Sequence, residues 1–197
     1  MTIRHHLSDP ILLAYSAGEL PEAFSLVVAA HLSLCDECRA RTGAFDAIGG
    51  NVIEDCVAEM AGEAMEAAMA RITGLPQMHR AEVAVWRGAG GLPAPLLDYI
   101  GGGLEAVRWR PLGMGVRHAV LPTEKGASAR LLLIPAGQEM PDHGHGGTEL
   151  TLVLKGAFLD GDERFCPGDV EIADQGTKHT PMADASGDCI CLVAADA

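Results

Sequence analysis

Basic residues are scarce in this chain. Fourteen Lys and Arg stand against 27 Asp and Glu, a formal net charge of −13. Non-specific affinity for a phosphate backbone comes from Lys and Arg, so direct nucleic-acid binding is not expected. The same acidity suits a surface that covers a basic partner, or one that merely keeps the chain in solution. Long hydrophobic runs are also missing. The longest, such as "FSLVVAAHL" and "ARLLLIPAG", stop well short of the roughly 20 residues that span a bilayer. The opening "MTIRHHLSDP" has no apolar h-region and no small-residue cleavage site, which argues against a secretory signal and leads to the expectation of a cytoplasmic protein. The six cysteines (35, 38, 56, 166, 189, 191) lack disulfide-framework spacing. In a reducing compartment such cysteines serve more often as metal ligands than as bridges. "GAGG" and "YIGGG" read as turns, because neither leads from a strand into a helix as a phosphate loop must.

What is present divides near residue 75. Before it the chain reads as helices. Ser8 and Pro10 open "DPILLAYSAG", and Gly18 closes it. A second helix begins at Pro21-Glu22, and a third is expected from Asp36 to the breaker Gly49-Gly50. The fourth is expected from Asn51, which forms a capping box with Glu54, and carries an apolar seam from Ile53 to Ile72. It holds five acids (Glu54, Asp55, Glu59, Glu63, Glu66) and no base up to Met69. "TGLPQMHRAE" then reads as a linker. Beyond it, short β segments punctuated by Gly and Pro ("EAVRW", "GVRHAVLP", "ARLLLIP", "ELTLVLKG", "AFLDG", "DCICLVAA") predict a β-sandwich or barrel, with "PAPLLDYIGGG" a short helix before the main strands. The predicted organisation is a helical domain over 1–75, a linker over 76–90 and a β domain over 91–197.

Within the helical half, "HLSLCDEC" places His31, Cys35 and Cys38 at i, i+4 and i+7. On a continuous helix their ends would lie about 10.5 Å apart along the axis, long for ligands of one ion. The helix is therefore expected to break between Leu34 and Glu37, with Asp36 capping the next one. Structural zinc takes four Cys or His ligands, so one is missing from this stretch. His5 and His6 are the only other histidines before the linker. His-x24-His-x3-Cys-x2-Cys resembles the zinc-binding anti-sigma domain of bacterial regulators that hold extracytoplasmic-function (ECF, group IV) sigma factors inactive. That resemblance implies His6, His31, Cys35 and Cys38 as zinc ligands, His5 as a bystander, and a fourth helix that inserts between regions of a sigma factor.

The β half contains Gly137-x5-His143-x-His145-x3-Glu149-x6-Gly156, followed by Gly161-x5-Pro167-Gly168 and Gly176-x2-His179. On a strand His143 and His145 project to one face, and Glu149 is close enough to share an ion. These motifs resemble the cupin family of small β-barrels. The resemblance implies His143, His145, Glu149 and His179 as ligands of a second metal. The second motif departs from the family in reading Pro167-Gly168-Asp169 for Pro-x-Gly and in carrying Ala183 where Asn is frequent. Cys189 and Cys191 share one face of the last strand and read as packed core; Cys56 and Cys166 are expected to be buried.

Taken together the chain resembles the ChrR type of anti-sigma factor. This implies an α+β multidomain fold: a four-helix zinc anti-sigma domain followed by a cupin-like β-barrel (jelly roll). It also implies two zinc ions per chain and a 1:1 complex with an ECF sigma factor through the helical domain, blocking core RNA polymerase. The cupin-like domain would serve release under oxidative stress such as singlet oxygen, with no catalysis, membrane or nucleic acid involved. The competing expectation is a metal-dependent cupin dioxygenase whose helical half is an oligomerisation module.

Overall fold

The computed structural model describes residues 2–59, 61–74, 92–140, 143–144, 147–176 and 178–196. Five helices occur among them: α1 (Asp9–Ser16), α2 (Glu22–Leu32), α3 (Asp36–Asp55), α4 (Ala64–Gly74) and α5 (Ala94–Ile100), the last followed by a 3-10 turn at Leu104–Ala106. The strands are β1 (Arg110–Gly113), β2 (Val116–Val120), β3 (Ala127–Ile134), β4 (His143–Gly144), β5 (Glu149–Lys155), β6 (Phe158–Asp160), β7 (Glu163–Phe165), β8 (Val170–Ala173), β9 (Lys178–His179), β10 (Met182–Ala183) and β11 (Cys189–Asp196). They form an antiparallel six-stranded sheet in the order β1-β2-β3-β11-β5-β8, a three-stranded sheet β10-β6-β7, and the small pair β4-β9.

Side chains alternate across a strand, and here both faces of the large sheet are used. Leu131, Leu150, Leu152 and Leu192 face one way and pack with Phe24, Val27 and Val28 of α2. Ile134, Val153, Cys191 and Val193 face the other way, toward Phe158 and Phe165 of the smaller sheet. The helical half thus shares a continuous apolar cluster with the β half. α2 explains why. Seven of its eleven residues are buried, on every side, and a helix that is apolar all round has to be enclosed. It lies across β3, β5 and β11. The strand layout requires left-handed glycines at tight corners. At Gly156 (φ +74°) an added Cβ would collide with the Asp188 backbone, so only glycine fits.

Several expectations need correction. α3 runs through Gly49 and Gly50 to Asp55, so the capping box at Asn51 does not form, and the fourth helix begins at Ala64. Glycine in a helix costs only about 1 kcal/mol, which does not force a stop. The segment "EAVRW" is mostly the 3-10 turn and its exit, and β1 starts at Arg110. Cys56 is exposed. The expected linker at 76–90 lies outside the described residues. β7 and β8 escaped notice in the sequence.

Candidate metal centres

α2 ends at Leu32, and the chain turns through Ser33–Cys35 before α3 begins at Asp36. The break falls where ligand spacing requires it. Its cap differs from expectation: Cys35, not Asp36, occupies the N-cap, and its Sγ accepts from the Cys38 backbone N–H at 3.4 Å. This corner brings Cys35 and Cys38 under the extended segment before α1. His6 Nδ1 lies 3.3 Å from Cys35 Sγ and 3.6 Å from Cys38 Sγ. One ligand atom from each of His6, His31, Cys35 and Cys38 falls within 4.8 Å of all the others. His5 is outside this group.

The two imidazoles are oriented differently. His6 turns Nε2 toward Glu37 at 3.4 Å, which leaves Nδ1 for the thiols. His31 donates from Nδ1 to the Gly168 carbonyl at 2.9 Å, since a carbonyl can only accept. Its Nε2 is then the lone-pair nitrogen. That atom is buried without a hydrogen-bond partner, in a side chain with no exposed surface. A buried unpaired acceptor is costly, and a metal ion held by this cluster would supply the missing partner. Burial, outweighing the Gly168 hydrogen bond, lowers the His31 pKa to about 4 and keeps the ring neutral and ligand-competent. Burial also raises the Cys38 thiol to about 11, so without a cation this thiol stays protonated. Two thiols and two imidazoles in one enclosed corner fit tetrahedral zinc.

The β half builds a different site. β4 pairs with β9 so that His143 stands opposite His179 in register. Glu149 and His179 line one cavity of about 280 Å³ with apolar walls from Leu132, Ile134 and Phe158. His145 lies outside the described residues. Two carboxylates absent from the sequence reading join the group. Asp160 Oδ2 and Glu171 Oε1 lie 3.1 and 3.4 Å from His179 Nδ1, and ligand atoms of these three residues fall within 4.8 Å of one another. Glu171 stands in the short apolar run "VEIA" and is buried there. Burial and the neighbouring Asp160 raise its pKa to about 8. Cys189 and Cys191 are buried with their sulfurs 3.5 Å apart. The contact with Cys189, with burial, pushes the Cys191 thiol well up, which opposes a reactive thiolate.

The fold and the first cluster define a class: a helical module with a Cys-His metal corner, seated on a cupin-like β-sandwich. The family domain described as the ChrR cupin-like domain matches residues 100–197. The anti-sigma-E factor ChrR of Cereibacter sphaeroides is 57% identical over 197 residues, all of this chain and 92% of that protein. The solved structure of Rhodobacter sphaeroides SigE in complex with the anti-sigma ChrR contains a chain that superposes with a TM-score of 0.85 at 56% identity, covering 99% of this chain and 100% of that one. The chain belongs to the ChrR family.

Proposed function

We propose that this chain is an anti-sigma factor that binds an ECF (group IV) sigma factor 1:1 and keeps it from core RNA polymerase. The observation that carries this reading is the tail of the helical half. Val52, Ile53, Val57, Met65, Met69 and Ile72 are all more than half exposed, and α4 buries none of its residues. Glu54, Asp55, Glu59, Glu63 and Glu66 are interleaved with them. An amphipathic segment with an uncovered apolar face is suited to a groove on another protein, and its acids select a basic one. The relative named as an anti-sigma factor, and the complex of SigE with ChrR, support the choice of partner. Such a complex works in the cytoplasm, where core polymerase is. No helix among the described residues is long and apolar enough to cross a membrane.

In this reading His6, His31, Cys35 and Cys38 hold a structural zinc, which supplies a rigid cross-link between the α2–α3 corner and the N-terminal segment. His143, His145, Glu149 and His179 hold a second zinc in the β half, with Asp160 and Glu171 beside it. The β half is the part needed for release under oxidative stress such as singlet oxygen, and the chain is not an enzyme. The apolar cavity beside Glu149 and His179 favours one other reading, a cupin dioxygenase, which requires turnover that disappears in His143→Ala. The deciding experiment is titration calorimetry of the full chain with an ECF sigma factor. Tight 1:1 binding is expected, weakened more than about tenfold by Met65→Asp and again by Ile72→Asp, because a charge placed on a central apolar anchor costs about 2 kcal/mol or more. Absence of binding, or unchanged affinity in both variants, overturns the reading.

A further inference from the structure

The turn Cys166–Asp169, which leads into β8, belongs to the β half, yet it faces the helical cluster. Asp169 is only 1% exposed. Its Oδ1 accepts from the backbone N–H groups of Arg4 (2.7 Å) and His5 (3.0 Å), and its Oδ2 accepts from that of Cys166 (2.8 Å). The His5 carbonyl in turn accepts from Val170 N–H at 3.2 Å. The His5 ring packs on Phe165 with centroids 4.2 Å apart and sets Nδ1 3.4 Å from Asp169 Oδ2. His5 is therefore a docking residue, and it fixes the backbone immediately before His6. One residue before Asp169, Gly168 directs its carbonyl at His31 Nδ1 from a left-handed conformation (φ +93°). Burial alone would raise the Asp169 carboxyl, but the backbone donors of Arg4, His5 and Cys166 hold it below its ordinary value and thus charged.

We propose that this turn is the outer shell of the Cys-His metal centre, with Asp169 its positioning residue, so that the β half helps to set the affinity of the helical half for its ion. Two of the four ligands depend on it. His31 owes its ring orientation and tautomer to Gly168, and His6 owes its placement to the strap that Asp169 holds. Outer-shell partners of this kind are worth roughly 10- to 100-fold in metal affinity. The inference rests on the metal reading above. It adds that removing a carboxylate from the β half, remote in sequence from every ligand of the cluster, loosens the ion in the helical half.

The test uses the full chain loaded with Co(II). Thiolate-to-cobalt charge transfer reports only the centre containing Cys35 and Cys38, since the ligand set of the β half has no thiolate. Chelator competition monitored at that band should show a loss of roughly 10- to 100-fold for Asp169→Ala. Asp169→Asn keeps an Oδ1 acceptor for Arg4 and His5 and should lose less. Asp162→Asn, an exposed carboxylate on the β6–β7 turn, should match the wild type. The cobalt signal without thiolate character should keep its affinity throughout. Unchanged affinity at the thiolate band in both Asp169 variants overturns the inference, and so does an equal loss at both centres, which would mean general destabilisation. If Asp169→Ala does not fold, Asp169→Asn decides. A wild-type chain with no thiolate-to-cobalt band removes the metal reading itself, a separate outcome.

Discussion

The two ligand clusters differ in enclosure more than in number of donors. In the helical half, two thiols and two imidazoles close on one point, and His31 Nε2 has no other partner. In the β half, His179 and Glu149 line a cavity, and the Nδ1 edge of His179 is occupied by two carboxylates. A closed soft site holds shape, whereas a site on a cavity leaves room for coordination to change. The same division runs through the protonation states. The helical cluster keeps its imidazole neutral and its Cys38 thiol protonated until a cation arrives. The β cluster keeps Glu171 neutral by burial beside Asp160. The helical cluster suits an ion that fixes a shape, and the β cluster suits a site whose protonation can change.

The largest effect expected from breaking this contrast is at Cys38. Cys38→Ser removes one of the two thiols of the closed cluster, and metal retention measured by chelator competition should fall by more than the roughly 10- to 100-fold of an outer-shell change. Because structural zinc is folding free energy, the α2–α3 corner should also lose protection from hydrogen exchange. The corresponding change at the cavity, Glu149→Gln, should leave that corner protected. Equal loss of protection in both variants would erase the distinction between the sites.

A somewhat smaller effect follows from pH. Metal binding must expel the Cys38 proton, held to about 11 in the metal-free chain. Affinity of the helical site should therefore fall about tenfold per pH unit for that proton alone as pH drops from 8 to 6. His31, already neutral down to about 4, adds nothing over that range. A flat dependence between pH 6 and 8 would contradict the buried protonated thiol.

How legible was this in the sequence? The ligand spacing of the first cluster carried its own geometry. His31 and Cys38 are too far apart on one helix, so a corner was required, and the chain turns at Ser33–Cys35. The segments of β2, β3, β5 and β11 are readable because each is a short apolar run bounded by Gly or Pro turn signals or polar residues. Asp160, Glu171 and Asp169 were not readable as site residues. Their importance comes from strand pairing and from the seating of the N-terminal segment on the β7–β8 turn, contacts between residues up to 165 apart in sequence. The fourth helix was misplaced for a related reason. Its apolar seam spans the end of α3 and all of α4, and Ile53, Val57 and Ile72 on it face solvent, so periodicity located an amphipathic face without fixing where the helix starts.

A separate expected effect concerns the stability of the metal-free β half. The Glu171 carboxyl has a folded pKa raised from 4.5 to about 8 by burial and by Asp160. A raised carboxyl pKa means that the folded state favours the protonated form. Its contribution is complete below about 4.5 and is lost as pH rises toward 8, at up to about 1.4 kcal/mol per pH unit. Glu171→Gln is neutral at every pH and of nearly the same shape. It should flatten the decline in unfolding free energy between pH 5 and 8, as measured by urea denaturation of the chelator-treated chain. Loading the metal should shrink the difference between variant and wild type, because a cation beside His179 stabilises the ionised carboxylate. A variant whose stability still declines with pH as steeply as the wild type would show that the titration belongs to another group, and the cavity would then lose its claim to be the responsive half.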